Sequence, residues 1–135
     1  MDNRFSEDDC PIGSTIRLIK GKNKYLILWI LKDATLRFGQ ISKLMPQSST
    51  KMLAQQLREL EVANLIIRTA YPFVPPMVEY KLSDLGRSII PILEALYEWG
   101  TVYFASNGKE VNCYLVDLRN EQIISKSKKQ PWNNC

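Results

Sequence analysis

Residues 48–62 read SSTKMLAQQLRELEV, and the spacing within them decides the fold. Leu53, Leu57 and Leu60 recur at i, i+4 and i+7, which on a helix of 3.6 residues per turn brings them within about 60° of one another. The spacing predicts a helix over residues 49–62, entered from the turn Pro46-Gln47-Ser48-Ser49, which delivers a Ser or Thr N-cap. The opposite face carries Ser48, Lys51, Gln55 and Arg58, side-chain types that reach phosphates and base edges.

Working outward from this helix, the preceding segments alternate apolar runs and breaks. Pro11 suits a first helical position and Gly21 a stop, which predicts a helix over residues 12–20 with Cys10 at its N-terminal edge. Residues 24–32 contain YLILWIL, apolar nearly all round, as expected of a helix buried on several sides; the length alone also permits a buried strand. After the polar break at residues 33–35, residues 36–38 can form one brief strand. Phe38, Ile41, Leu44 and Met45 then follow at helical spacing, so a short helix fits residues 39–45, and Pro46 ends it.

Downstream, two β-type runs at residues 65–71 and 78–83 flank a segment holding Pro72, Pro75 and Pro76. Proline cannot donate to a ladder, so the three prolines form a loop between paired strands. The resulting order of helix, helix, short strand, helix, turn, helix, strand, loop, strand is that of a winged helix-turn-helix, a mainly α fold with a small β-wing (α+β).

Ser83 and Asp84 then open a long helix in which Leu85, Ile89, Ile92, Leu96, Trp99 and Tyr103 alternate in steps of four and three, a heptad seam. Ile90, Leu93, Tyr97 and Phe104 form a second stripe. A chain of 135 residues has few other elements to cover so much apolar helix, so the seam, together with Leu93, is expected to join two copies in a homodimer. Pro91 removes the hydrogen bond to Arg87 and is expected to bend the helix. The expected organisation is a flexible acidic N-terminus at residues 1–9, a DNA-binding and dimerisation domain at residues 10–107, and a partly mobile C-terminal extension at residues 108–135.

Composition narrows the function. Hydrophobic types make up 45% and charged types 24%, the range of ordinary globular proteins. Histidine is absent, which excludes Ser-His-Asp and Cys-His mechanisms, histidine-containing zinc sites and a histidine pH switch. No Gly-rich phosphate loop or spaced carboxylate pair points to an enzyme, so neither catalytic residues nor a cofactor are expected. Cys10, Cys113 and Cys135 are widely separated and form no C-x-x-C pair, so no metal site or disulfide framework is expected, and a reducing cytoplasm is the default location. Residues 1–9 lack the basic and apolar regions of a secretory signal, and the longest apolar run, residues 25–31, is far shorter than a bilayer span. The net charge of +4 is uninformative as a total, but residues 10–36 carry +4 and residues 37–81 carry +3 while the flanking segments 1–9 and 82–108 are negative.

These residues, taken in order, resemble the HxlR-type branch of the winged helix-turn-helix transcriptional regulators, relatives of the MarR group, over residues 10–100. The resemblance rests on Cys10-Pro11, Gly21-Lys22, the run from Lys51 to Glu61, Tyr71-Pro72, Val74-Pro75-Pro76, Val78-Glu79-Tyr80, Leu82-Ser83, Gly86, Pro91-Ile92-Leu93 and Trp99. It implies a dimeric, cytoplasmic regulator that binds double-stranded DNA with the recognition helix in the major groove. On that reading Lys51 and Arg58 meet phosphates or guanine edges. Gln55 and the hydroxyls of Ser48, Ser49 and Thr50 meet bases or phosphates, and Lys43 and Lys81 contact the backbone. Arg68 and Lys81 are the cations nearest the wing, since Met77 stands where the family commonly has a basic residue and leaves the tip uncharged. Asn23 replaces a usual Trp, which would loosen packing at the start of the second helix. Some family members use the cysteine equivalent to Cys10 to sense oxidants or electrophiles, so Cys10 is a redox-sensing candidate with Cys113 its partner across the dimer; a small-molecule or oxidant effector is compatible with this. The alternative is a winged-helix module that binds protein partners and touches DNA weakly. The polar face of Lys51, Gln55 and Arg58 weighs against it, because a protein-binding face would expose aromatic or aliphatic anchors.

Overall fold

The computed structural model describes residues 10–108, which fall in two compact units divided between Arg87 and Ser88. In the first unit, helix α1 (Pro11–Lys20) starts with its proline in the first turn and an extended Cys10 as N-cap residue. Thr15 Oγ1 donates to the Pro11 carbonyl at 2.6 Å. A short 3-10 turn, Gly21–Asn23, leads into α2 (Lys24–Ile30). Asn23 adopts a left-handed φ of 74°, a conformation Asn tolerates far better than a bulky aromatic residue, and its Oδ1 accepts from the Tyr25 hydroxyl at 3.3 Å. The all-apolar run resolves as helix, not strand: Leu26, Ile27, Leu28, Trp29 and Ile30 are all buried.

Strand β1 (Leu36–Arg37) is one residue shorter than expected, because Phe38 already belongs to α3 (Phe38–Leu44). The Gln40 side chain accepts from the Arg37 backbone N–H at 2.8 Å, which satisfies an amide at the helix start and pulls that start forward. Helix α4 (Thr50–Val62) is capped by Ser49, whose hydroxyl accepts from the Met52 N–H at 3.1 Å. Asn64, at φ 62°, then turns the chain into β2 (Ile66–Tyr71), which pairs antiparallel with β3 (Met77–Leu82) across the proline loop. The sheet order is β1-β3-β2. The core of this unit is formed by Ile27, Leu28 and Leu31, by Ile41 and Met45, by Leu53, Leu57 and Leu60, and by Ile66 and Leu82, all at most 2% exposed.

Helix α5 (Asp84–Ser88) is clipped to the end of α4 through Ser83. Its backbone N–H donates to the Leu65 carbonyl at 3.0 Å and its hydroxyl to the Asn64 carbonyl at 2.6 Å. The same oxygen accepts from the Gly86 N–H at 2.9 Å. Gly86 must lack a side chain here, because a β-carbon would collide with the Leu65 carbonyl oxygen, a backbone atom already held by Ser83. Gly86→Ala is expected to lower the unfolding free energy by about 1–3 kcal/mol through overpacking, measured by urea unfolding.

The long helix expected from Ser83 onward is two helices. Pro91 does more than bend it: Ile89 keeps right-handed helical backbone angles, but the hydrogen-bond ladder breaks there and restarts as α6 (Ile90–Ser106), where the Ile92 and Leu93 amides both bond to the Ile89 carbonyl. Proline supplies no N–H for the carbonyl one turn back, which ends one ladder and seeds the next. In the second unit Trp99 and Tyr103 stack at 5.0 Å, and Tyr103 meets Phe104 edge-on at 5.3 Å. No helix among the described residues is long and apolar enough to cross a membrane.

Candidate nucleic-acid interface

Helix α4 is held by its inner face, and that fixes what its outer face presents. With Leu53, Leu57 and Leu60 sealed in the core, helical geometry turns Lys51, Gln55 and Arg58 outward, and all three are exposed. The two glutamines of the adjacent pair have opposite roles. Gln56 is 2% exposed and its Nε2 donates to the Gly21 carbonyl at 2.8 Å, tying α4 to the turn before α2. Its Oε1 accepts no hydrogen bond. Gln56 was not among the site residues expected from sequence, yet its position three residues after Leu53 and four before Leu60 marks it for the inner face.

Gln55 does not project freely. Its Nε2 donates to Glu59 Oε1 at 3.1 Å, and Glu59 Oε2 meets Lys24 Nζ at 2.6 Å. The Lys24 side chain is 13% exposed and that of Glu59 44%. The Lys24 ammonium bonded to it, aided by the Gln55 amide, holds the Glu59 carboxyl below the usual carboxylate range. A row of charge and amide therefore runs from the start of α2 onto the exposed face of α4. Lys24 and Glu59 are 35 positions apart, and no local pattern links them.

The remaining expected contacts are placed as follows. Lys43 is exposed on the last turn of α3. Ser48 is half-buried, Ser49 spends its acceptor on the cap, and Thr50 is exposed. Arg68 pairs with Tyr80 and Ile67 with Lys81 in the β2–β3 ladder, so Arg68 and Lys81 lie on opposite faces of the wing although both are exposed. The tip itself carries no charge: Val74 is 99% exposed and Phe73 stacks on Tyr71 at 5.6 Å. Arg37, which sequence reasoning passed over, supplies a cation there. With Phe38, Phe73 and Met77 it lines an open groove of about 530 Å³ between the start of α3 and the wing loop.

On the expected dimerisation seam, Leu85, Ile92, Leu96, Trp99 and Tyr103 are exposed, Trp99 by 67%, whereas Ile89 and Leu93 are buried within the chain. Cys10 is a free, half-buried thiol at the N-terminal edge of α1; Cys113 and the extension from residue 109 lie outside the described residues, as do residues 1–9. Among the described residues no group of three or more Cys, Asp or Glu could hold a metal ion.

Comparison with known proteins bears on this geometry. A family model described as HxlR-like helix-turn-helix matches residues 18–108. An HTH-type transcriptional regulator of Methanothermobacter thermautotrophicus is 49% identical over 94 residues, covering 70% of this chain and 72% of that protein. Among solved structures, the HTH-type transcriptional regulator ytcD superposes with a TM-score of 0.68 at 43% identity, over 71% of this chain and 98% of its own. The redox regulator HypR in its oxidized form superposes with a TM-score of 0.64 at 38% identity, over 69% of this chain and 96% of its own.

Proposed function

Because the chain belongs to the HxlR-like helix-turn-helix family, whose similar members are transcriptional regulators, we propose that it binds an inverted-repeat operator as a homodimer, with α4 of each copy in the major groove. The observation that carries this reading is the exposed row of Lys51, Gln55 and Arg58, set opposite the sealed leucine face of a capped helix. A helix of this size fits the major groove, and two of them related by a dimer axis read half-sites about 34 Å apart. Lys51 and Arg58 neutralise phosphates or bond guanine, the hydroxyls of Ser48, Ser49 and Thr50 fix register, and Lys43 adds a backbone contact. Since Arg68 and Lys81 occupy opposite faces of the wing, one strand of DNA is met by one of them and not both. The dimer forms through the exposed apolar residues Ile92, Leu96, Trp99 and Tyr103 of α6, and Leu85, exposed on α5, is the further seam residue. Residues 10–107 then make up the DNA-binding and dimerisation domain, and the protein works in the cytoplasm with its DNA. A protein-interaction module is disfavoured, since the outer face of α4 is mostly polar and has no aromatic anchor.

A second reading concerns control. Similarity to a redox regulator, together with a free Cys10 at a helix N-terminal edge, supports oxidant sensing. In this reading Cys10 and Cys113 of the partner copy form a disulfide, an added oxidant such as diamide taking up the two electrons and two protons released. Genome-wide pull-down of bound DNA, with and without diamide, tests both readings. The expected result is a shared inverted repeat with half-sites about one DNA turn apart, and occupancy that changes with diamide in wild type but not in Cys10→Ser. Scattered binding with no common motif would sink the regulator reading. A motif whose occupancy ignores diamide would sink the redox one alone.

A further inference from the structure

We infer that Glu59 and Lys24 are positioning residues for base reading, holding the Gln55 amide in an orientation that selects adenine. The inference rests on the proposal that α4 reads the major groove and names how one of its side chains does so. A free glutamine on a helix surface samples many rotamers, and ordering it on a base costs a large part of its side-chain entropy. Here that cost is met before DNA arrives. One N–H of Gln55 is committed to Glu59 Oε1 at 3.1 Å, and Glu59 is itself fixed by Lys24 at 2.6 Å, anchored at the start of the buried helix α2. What remains to Gln55 is one N–H donor and the Oε1 acceptor, which no described residue engages. That is the pair that matches adenine, whose major-groove edge offers the N6 amino donor and the N7 acceptor. Guanine offers two acceptors there and would leave Oε1 facing O6.

The charges agree with this assignment. An exposed carboxylate on a DNA-facing helix repels phosphates, and the Glu59 side chain is 44% exposed, its packing role confined to the ion pair with Lys24. Lys24 neutralises that charge, so the carboxylate serves as an acceptor for the amide at little cost to DNA approach. Electrostatics and geometry thus separate two readouts. Removing Glu59 raises overall affinity for DNA or leaves it unchanged, and at the same time lowers selectivity at one base pair. Damage to the fold would lower both.

The test is selection from a pool of random duplex DNA by the full-length protein, repeated for variants. The base pair whose preference disappears in Gln55→Ala is the one Gln55 reads, and adenine is expected there in the wild-type sites. In Glu59→Ala the preference for that adenine should fall roughly 3- to 10-fold, the order of a released side-chain entropy, with every other position unchanged and binding to non-specific DNA equal or tighter. Lys24→Met should reduce the same preference with weaker overall binding, and Glu59→Gln, which keeps an acceptor, should restore much of it. An adenine preference intact in both Glu59→Ala and Lys24→Met, or a Gln55→Ala variant that alters no position, overturns the inference while the regulator reading stands. If wild type enriches no motif, the regulator reading fails and takes the inference with it. Lys24→Met decides the matter should Glu59→Ala fail to fold.

Discussion

Replacing Lys51 and Arg58 together by alanine is expected to weaken binding to a selected operator by about 100-fold or more and to flatten its salt dependence. A hydrogen bond to a charged group is worth roughly 1.5–3 kcal/mol, so two lost from each subunit exceed any rearrangement at the surface. Each phosphate contact releases counterions and contributes about −0.9 to the slope of log K against log salt. A shift of about 2 per subunit therefore identifies both residues as phosphate contacts. A smaller shift accompanied by relaxed preference at a G·C pair would place one of them on a guanine edge. Affinity and slope both unchanged across a salt titration would show that this face does not meet DNA. The assignment of α4 would then be wrong.

The largest expected loss of stability comes from the inner face of the same helix. Leu57 is 1% exposed at the centre of the core that joins α4 to α2 and β2. Leu57→Ala is expected to cost about 2–5 kcal/mol, combining lost transfer energy with the cavity left behind. Against a total of roughly 5–15 kcal/mol for a domain of this size, that lowers the thermal midpoint by about 10 °C or more. Val62→Ala on the same helix provides the contrast, since Val62 is 76% exposed, and its effect should stay within about 0.5 kcal/mol. Equal losses for the two would contradict the burial pattern. Circular dichroism melting of both variants measures the difference directly.

The two faces of α4 illustrate how far one-dimensional reasoning carries. The spacing of Leu53, Leu57 and Leu60 located the helix and its sides, because a helical period is imposed by the backbone over a few residues and needs no knowledge of the rest of the chain. The same rule assigns Gln56 inward, a position the sequence reading left without a role, and only the Gly21 carbonyl shows why an amide is tolerated there. Pro91 signalled a disturbance; whether it bends or divides the helix depended on where the preceding carbonyls found donors, and Ile89 accepts two. Asn23 also occupies a left-handed turn that suits its side chain, a backbone feature its place in the sequence did not announce.

What was legible, then, was everything that repeats locally or punctuates the chain: the apolar periods, the proline loop between β-type runs, the order of elements, and the absence of histidine. The absence of histidine is read from composition, and the rest follows from steric and hydrogen-bonding rules acting over a few residues. Tertiary structure alone decided the partnerships between distant residues. It brought Lys24 against Glu59, set Arg68 and Lys81 on opposite faces through the register of β2 on β3, and placed Arg37 beside an uncharged wing. It also sealed Ile89 and Leu93 while leaving Trp99 and Leu96 exposed. The reason is physical. A side chain's neighbours across a core or a ladder are fixed by how all the elements pack at once, and a one-residue change of register reverses which face each strand residue occupies.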